Sequence, residues 1–141
     1  MAEGATIVTS EQARGWFEQV FANPNSIRPD AMAVSGRRPE LIGVNGERTF
    51  TDGVRTVRVS MIEDSVHARG FMLVWLPKER LLVEADAYTP GPPNAPPPAT
   101  VNANNQNLAD NIQRLGLDVD RILPLHGRLA SMAELKSAVR R

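Results

Sequence analysis

The amino-acid sequence predicts a layered α+β fold with one mixed β-sheet and helices on one face of that sheet. The first observation is that Val54–Ile62 alternates apolar and polar residues, as a half-buried strand does. The second is that Phe71–Leu76 is apolar at every position, which is typical of a central strand buried on both faces. The third is that segments with helical periodicity precede and follow this β-rich region, so helices and sheet can pack as layers.

The composition is that of a globular chain with balanced charge. The sequence has 16 basic and 16 acidic side chains, so neither a nucleic-acid partner nor a membrane partner is expected. The absence of cysteine excludes disulfides, thiolate zinc sites and cysteine nucleophiles. No apolar run is long enough to span a membrane and the N-terminus lacks a signal-sequence pattern, so we expect a soluble, cytoplasmic protein.

The length of 141 residues favours a single domain over residues 1–141. We distinguish four segments within it: N-terminal helices (1–36), a β-rich segment (40–86), a proline-rich loop (87–101) and a helix–strand–helix segment (102–141). In the first segment, a helix is predicted from Glu11 to Phe21, where the hydroxyl of residue 9 or 10 can cap it. A second short helix is predicted around Pro29–Ser35, with Gly36 after its end. Two aromatic residues of the first helix are predicted to anchor it against the sheet: Trp16 and Phe17.

The β-rich segment begins with a predicted hairpin. Glu40–Val44 and Glu47–Thr51 flank Asn45-Gly46, a strong short hairpin motif. Because these residues are only moderately apolar, we expect the hairpin at a sheet edge or at an interface. Asp52-Gly53 then turns the chain into Val54–Ile62.

The next strands have predictable directions. The turn Pro77–Arg80 joins Phe71–Leu76 to Leu81–Ala85, so these two strands are antiparallel. If Val54–Ile62 also pairs antiparallel with Phe71–Leu76, it runs in the same direction as Leu81–Ala85. A helical crossover then leads to a further parallel strand at Arg121–Leu125.

The proline-rich loop and two helices complete the chain. Tyr88–Ala99 holds six of the eleven prolines and is expected to be a polyproline-like surface loop that shapes the rim of the sheet edge. A helix is predicted from the polar stretch Asn102–Asn107 to Leu115. The last helix begins at Ser131, and Glu134 forms a capping box with it.

Three residues follow the carboxyl ends of predicted strands: His67, Asp86 and His126. The strand directions place all three at one edge of the sheet, so we expect them to lie close together. Two imidazoles and a carboxylate are suitable ligands for Zn²⁺. A carboxylate directly after a buried strand can equally be paired with a basic side chain or with backbone donors, so zinc and no cofactor remain alternatives.

Three stretches resemble the second half of metallo-β-lactamase-fold hydrolases: Ser65–Asp86, Asn111–Leu117 and Ile122–Gly127. The resemblance covers about Thr51 to the C-terminus, and the N-terminal helices more loosely. It implies half of an αββα sandwich. In that family the histidine of His-x-x-Gly binds the first zinc, the aspartate after the strand bridges both metals, and the histidine before glycine binds the second. By position the resemblance implies these metal-ligand roles for His67, Asp86 and His126.

The family's first-half signature, His-x-His-x-Asp-His, is absent, because the chain has only two histidines and both are already assigned. Each implied zinc site retains one histidine and the shared aspartate, fewer than the three protein ligands of a catalytic zinc. We therefore expect a truncated metallo-β-lactamase-like domain that is not catalytically competent alone, and we assign no catalytic residue to this chain.

A half-sandwich leaves one apolar face of its sheet without a second layer. We therefore expect a homodimer through that face, acting as a binding or scaffold protein. One alternative is a zinc-dependent hydrolase completed across the dimer interface or by a partner. A second is a protein-interaction module that uses the proline-rich loop. The sequence identifies no small-molecule substrate.

Overall fold

The structure is a computed structural model that describes residues 4–139. Its residues form two compact units, one ending at Asn45 and one beginning at Gly46; the single-domain organisation stays a prediction. Among the described helices, none combines the length and apolarity needed to cross a membrane. The elements in chain order are β1 (Thr6–Ser10), α1 (Glu11–Ala22), α2 (Ala31–Ser35), β2 (Glu40–Val44), β3 (Glu47–Thr51), β4 (Thr56–Met61), β5 (Met72–Leu76), β6 (Leu81–Glu84), α3 (Ala103–Arg114), β7 (Arg121–Pro124), β8 (Ala130–Ser131) and α4 (Met132–Val139).

The first unit contains a two-stranded parallel sheet. Strand β1, which the sequence pattern did not predict, pairs with β2 in the register Thr6↔Glu40 to Ser10↔Val44. Helices α1 and α2 form the crossover that two parallel strands require. The Ser10 hydroxyl caps α1 by accepting a hydrogen bond from the Ala13 N–H at 3.2 Å. Both predicted helices of this region are therefore present.

The predicted hairpin of Glu40–Val44 and Glu47–Thr51 is wrong, although both strands have the predicted bounds. Strand β2 pairs with β1, and β3 pairs antiparallel with β4 at the edge of a separate sheet. Gly46 does turn the chain, with φ of 84°. A turn motif sets a local change of direction, but the partner of each strand is set by the ladders with β1 and β4.

The prediction that Trp16 is a core anchor is also wrong. Its side chain is 61% exposed, whereas Phe21 on the same helix is buried. Phe17 and Phe21 lie one helical turn apart with ring centroids at 5.9 Å, and Trp16 contacts the edge of Phe17 at 4.9 Å. The buried stripe of α1 is therefore centred on Phe21, and Trp16 lies outside it.

The second unit contains a six-stranded mixed sheet in the order β3-β4-β5-β6-β7-β8. Neighbours are antiparallel except β6 and β7, which are parallel and are connected through α3. The predicted pairing of the four central strands is confirmed. Three of these strands end one residue earlier than predicted, and β5 ends at the predicted residue, Leu76.

One face of this sheet packs on helices α3 and α4. Leu73 and Leu82 of the sheet and Leu108 and Leu135 of the helices have no exposed surface. Each such leucine contributes about 1.5–3 kcal/mol by leaving water. The wider core cluster also includes Ile62, Phe71, Trp75, Ile112, Leu117, Val119 and Ile122.

The opposite face of the sheet is apolar but less buried. The register aligns Val59, Val74, Val83 and Leu123 in one row across β4 to β7. Val59 is 5% exposed, Val74 and Val83 are intermediate, and Leu123 is 41% exposed. The fold is thus the predicted α+β arrangement with helices on one face.

Candidate functional site

Residues His67, Asp86 and His126 come together at the carboxyl edge of the six-stranded sheet, as predicted. The Nε2 atom of His67 is 3.5 Å from Oδ2 of Asp86, and Nε2 of His126 is 3.2 Å from Oδ1. The side chain of Asp86 is 33% exposed, and those of His67 and His126 are 42% and 66% exposed. An open cluster results, in which one carboxylate lies between two imidazoles.

The direction of the strands explains this convergence. Asp86 and His126 each lie two residues beyond the ends of β6 and β7, which are parallel neighbours. The Leu125 N–H donates to the Ala85 carbonyl at 3.2 Å, which extends the ladder by one step toward the cluster. His67 lies in the loop between β4 and β5, and this loop returns to the same edge.

Local hydrogen bonds shape the loop that carries His67. The Ser65 hydroxyl accepts from the N–H groups of His67 and Ala68, both at 3.3 Å. The His67 ring stands edge-on to Phe71, with ring centroids 5.8 Å apart. Because Phe71 is part of the buried core, this contact links the imidazole to the rigid part of the unit.

A set of polar residues on α3, which the sequence pattern did not predict, holds the same loop. Asn111 is 3% exposed; its Oδ1 accepts from the Glu63 N–H at 2.8 Å and its Nδ2 donates to the Glu63 carbonyl at 3.0 Å. Asn107 donates to the carbonyls of Glu63 and Asp64, and Arg114 donates to that of Met61. Asparagine is unfavourable in helix interiors. Its repeated occurrence within one predicted helix was therefore the signal that could have indicated a specific role for these residues.

A second missed residue is Glu84, which lies at the end of β6 and is 4% exposed. Its Oε2 accepts from the N–H of Ala87 at 2.6 Å and from that of Tyr88 at 3.3 Å. Within the described part of the chain, Oε1 has no hydrogen-bond partner. Burial raises the pKa of Glu84, and the nearby charge of Asp86 adds to this rise. The two backbone hydrogen bonds lower the pKa but do not cancel the effect of burial. Glu84 therefore holds the turn that follows Asp86.

The proline-rich loop packs beside His126. Gly127 has φ of 100°, and a Cβ atom there would lie 3.3 Å from Cδ of Pro90. Arg128 donates to the Gly91 carbonyl through Nε at 3.2 Å and Nη2 at 2.9 Å. The same guanidinium donates to Glu134 at 2.5 Å, and this bond is the main reason that the pKa of Glu134 is lowered to about 2.

The residues present do not form a metal site by themselves. Within residues 4–139, no group of three or more histidine, cysteine, aspartate or glutamate side chains could hold a metal ion. Each oxygen of Asp86 faces one imidazole, and the chain has no further histidine and no cysteine to add as a ligand. The donor set thus falls short of the two zinc sites that the resemblance implies.

No protein-family model matches this sequence, and no curated protein sequence is significantly similar to it. Solved structures do match. A rubredoxin oxygen:oxidoreductase from Desulfovibrio gigas aligns with a TM-score of 0.63 at 14% identity, over 95% of this chain and 36% of that protein.

Two similar structures carry the metallo-β-lactamase name. A metallo-β-lactamase from Pontibacter korlensis aligns with a TM-score of 0.60 at 16% identity, over 97% of this chain and 57% of that one. An archaeal metallo-β-lactamase superfamily protein from Sulfolobus tokodaii aligns with a TM-score of 0.57 at 17% identity, over 94% of this chain and 56% of that one. This chain therefore has the metallo-β-lactamase fold, and it spans between about a third and a little over half of the length of these structures.

Proposed function

We propose that this chain is a metallo-β-lactamase-like domain that is not catalytically competent alone and acts as a homodimeric binding or scaffold protein. The observation that carries the proposal is the pairing of both histidines of the chain with Asp86. A catalytic zinc needs three protein ligands and an open position for water. Once these residues are paired with one another, the chain holds no imidazole or thiolate to complete such a centre.

The dimer part of the proposal is supported by the less buried face of the six-stranded sheet. The row Val74–Val83–Leu123 is apolar, and its exposure rises to 41% at Leu123. An apolar sheet face favours a second layer because burial of apolar surface is favourable. A second copy related by a twofold axis supplies the same apolar row in return.

Sedimentation equilibrium at micromolar concentration tests the dimer. The wild-type chain of 15.4 kDa is expected to sediment with twice that mass. Leu123→Glu places a charge in the apolar row and is expected to give a monomer. Val54→Glu is the matched control, because Val54 is 75% exposed in the turn before β4. A monomeric wild-type protein would refute the dimer.

The second candidate function is a zinc-dependent hydrolase completed across the dimer interface or by a partner. The convergence of His67, Asp86 and His126 in an open position favours it, because a second chain has access to add ligands. Zinc content of the purified protein separates the two functions. Stoichiometric zinc that is lost in His126→Ala would support the hydrolase, whereas equal, substoichiometric zinc in both proteins supports the scaffold.

A further inference from the structure

An open cleft of about 770 Å³ lies between the proline-rich loop and helix α4. Its volume falls within the range of small-molecule sites, about 300–1,000 Å³. Five proline rings line one side, and the rest of the lining includes Tyr88, Asn105 of α3 and residues of α4. The prolines are Pro92, Pro93, Pro96, Pro97 and Pro98.

The shape of the cleft is held by polar contacts at one end. Arg128 binds the Gly91 carbonyl on the loop and Glu134 on α4, so it connects the two walls. Glu134 also accepts from the N–H and the hydroxyl of Ser131, at 2.8 Å and 3.0 Å. These contacts keep the loop at a fixed distance from the helix at that end.

The charge of the lining is balanced. Arg128 and Glu134 are the charged residues of the lining, and they neutralise each other. The cleft therefore offers no net attraction to an anion or a cation. An uncharged ligand enters it without breaking this ion pair.

The hydrogen-bonding character of the lining is uneven. A proline has no N–H, so the loop wall offers carbonyl acceptors and ring surfaces but few donors. Tyr88 is 5% exposed and is one of the residues that line the cleft.

We propose that this cleft binds an uncharged aromatic molecule that carries a hydroxyl or N–H group. The aromatic ring packs against the exposed proline rings, and the polar hydrogen is donated to an acceptor of the lining. The hydroxyl of Tyr88 exchanges a hydrogen bond with the polar group of the ligand. This site is separate from the His67–Asp86–His126 cluster and does not depend on the dimer.

The probe for the test is 2-naphthol, which is uncharged at pH 7, and binding is followed through backbone amide shifts of the full chain. We expect shifts at cleft residues such as Asn94, Asn105 and Ser137, with a Kd of roughly 0.1–3 mM for a ligand of this size. Naphthalene-2-sulfonate and 2-methoxynaphthalene are matched probes that add a charge or remove the donor. Each is expected to bind at least about 3-fold more weakly.

Two substitutions on α4 provide the structural control. Ala133 is exposed and lines the cleft, so Ala133→Trp fills it and is expected to weaken 2-naphthol binding by about 10-fold or more. Lys136 is exposed on the same helix but outside the lining, so Lys136→Trp is expected to leave binding unchanged. Tyr88→Phe keeps the ring and is expected to cost roughly 3- to 10-fold. Unchanged circular dichroism shows that each variant is folded.

Several results would overturn the proposal. Equal binding by Ala133→Trp and Lys136→Trp would place the probe outside the cleft. Shifts confined to the apolar row at Val74, Val83 and Leu123 would assign the binding to the sheet face. Stronger binding of the sulfonate than of 2-naphthol would show that the Arg128 charge is available, contrary to the neutral lining.

Discussion

Replacement of Asn111 by alanine tests whether the polar side of α3 holds the loop that carries His67. Asn111 is buried, and one side chain makes two hydrogen bonds with the backbone of Glu63, four residues before His67. The substitution removes both bonds, together with the bond to the Asn107 carbonyl and the bonds that Asn111 accepts from Arg114. Arg114 keeps its bond to the Met61 carbonyl. We therefore expect a less stable protein in which the loop moves away from α3.

The expected loss in the free energy of unfolding is about 2–3 kcal/mol. Each of the two hydrogen bonds contributes about 1 kcal/mol, and the partly buried Glu63 N–H left without a partner adds about 1 kcal/mol. Alanine is the better helix former by about 0.6 kcal/mol, which offsets part of the loss.

Urea unfolding followed by the fluorescence of Trp75 measures this loss. Trp75 is 5% exposed in the core of the second unit, and Trp16→Phe removes the exposed second tryptophan from the signal. Asn107→Ala is the matched control on the same helix. Its partners are exposed carbonyls that water can satisfy, so we expect a change below about 0.5 kcal/mol.

The loop position is followed separately through the ring protons of His67, whose chemical shifts depend on the edge-on contact with Phe71. We expect these shifts to move in Asn111→Ala and to stay in Asn107→Ala. A loss below about 0.5 kcal/mol in Asn111→Ala, or equal losses in the two variants, would refute the reasoning. A small loss would mean that the loop is held by its own contacts, and equal losses would mean that the bonds of Asn107 contribute as much as those of Asn111.

Three further substitutions test the surroundings of the cluster. Burial raises the pKa of Glu84 above its ordinary value of 4.5, so the folded protein binds this proton more tightly than the unfolded chain does. The stability of the fold should therefore fall as pH rises above 4.5 toward the raised pKa. Glu84→Gln should reduce this fall, as measured by urea unfolding at several pH values. Arg128 is the main reason that the pKa of Glu134 is lowered to about 2, so the ionised carboxylate stabilises the fold above pH 4.5 and this stabilisation is lost as pH falls toward 2. Glu134→Gln should remove this loss of stability in acid. An unchanged dependence of stability on acid pH would contradict the prediction. Gly127→Ala places a side chain at φ of 100° and against Pro90, so we expect a loss of about 1–3 kcal/mol; an unchanged melting temperature would show that the loop adjusts freely.

The central sheet and the convergence of the cluster follow from patterns in the amino-acid sequence. The alternation in Val54–Ile62, the apolar run Phe71–Leu76 and the turn after it specify local structure, and strand direction follows from local structure and loop length. Because parallel strands end at the same edge, the positions of His67, Asp86 and His126 followed without any long-range contact being known.

The pairing of the strands outside this centre depends on the folded chain. Asn45-Gly46 determines a turn, but β2 pairs with β1, which lies 34 residues earlier in the sequence, and β3 pairs with the next strand, β4. The orientation of α1 likewise buries Phe21 and exposes Trp16, although both are apolar residues of one helix. Helical periodicity defines a broad face, and packing selects the part of it that is buried.

The burial of the polar residues around the cluster also depends on the folded chain. Asn111 and Glu84 are typical surface residue types, and nothing adjacent in the chain shows that they are buried. Their partners lie 48 residues away for Asn111 and in a tight turn after the strand for Glu84. A buried polar side chain is stable only where backbone groups meet it, and those groups come together only when the chain folds.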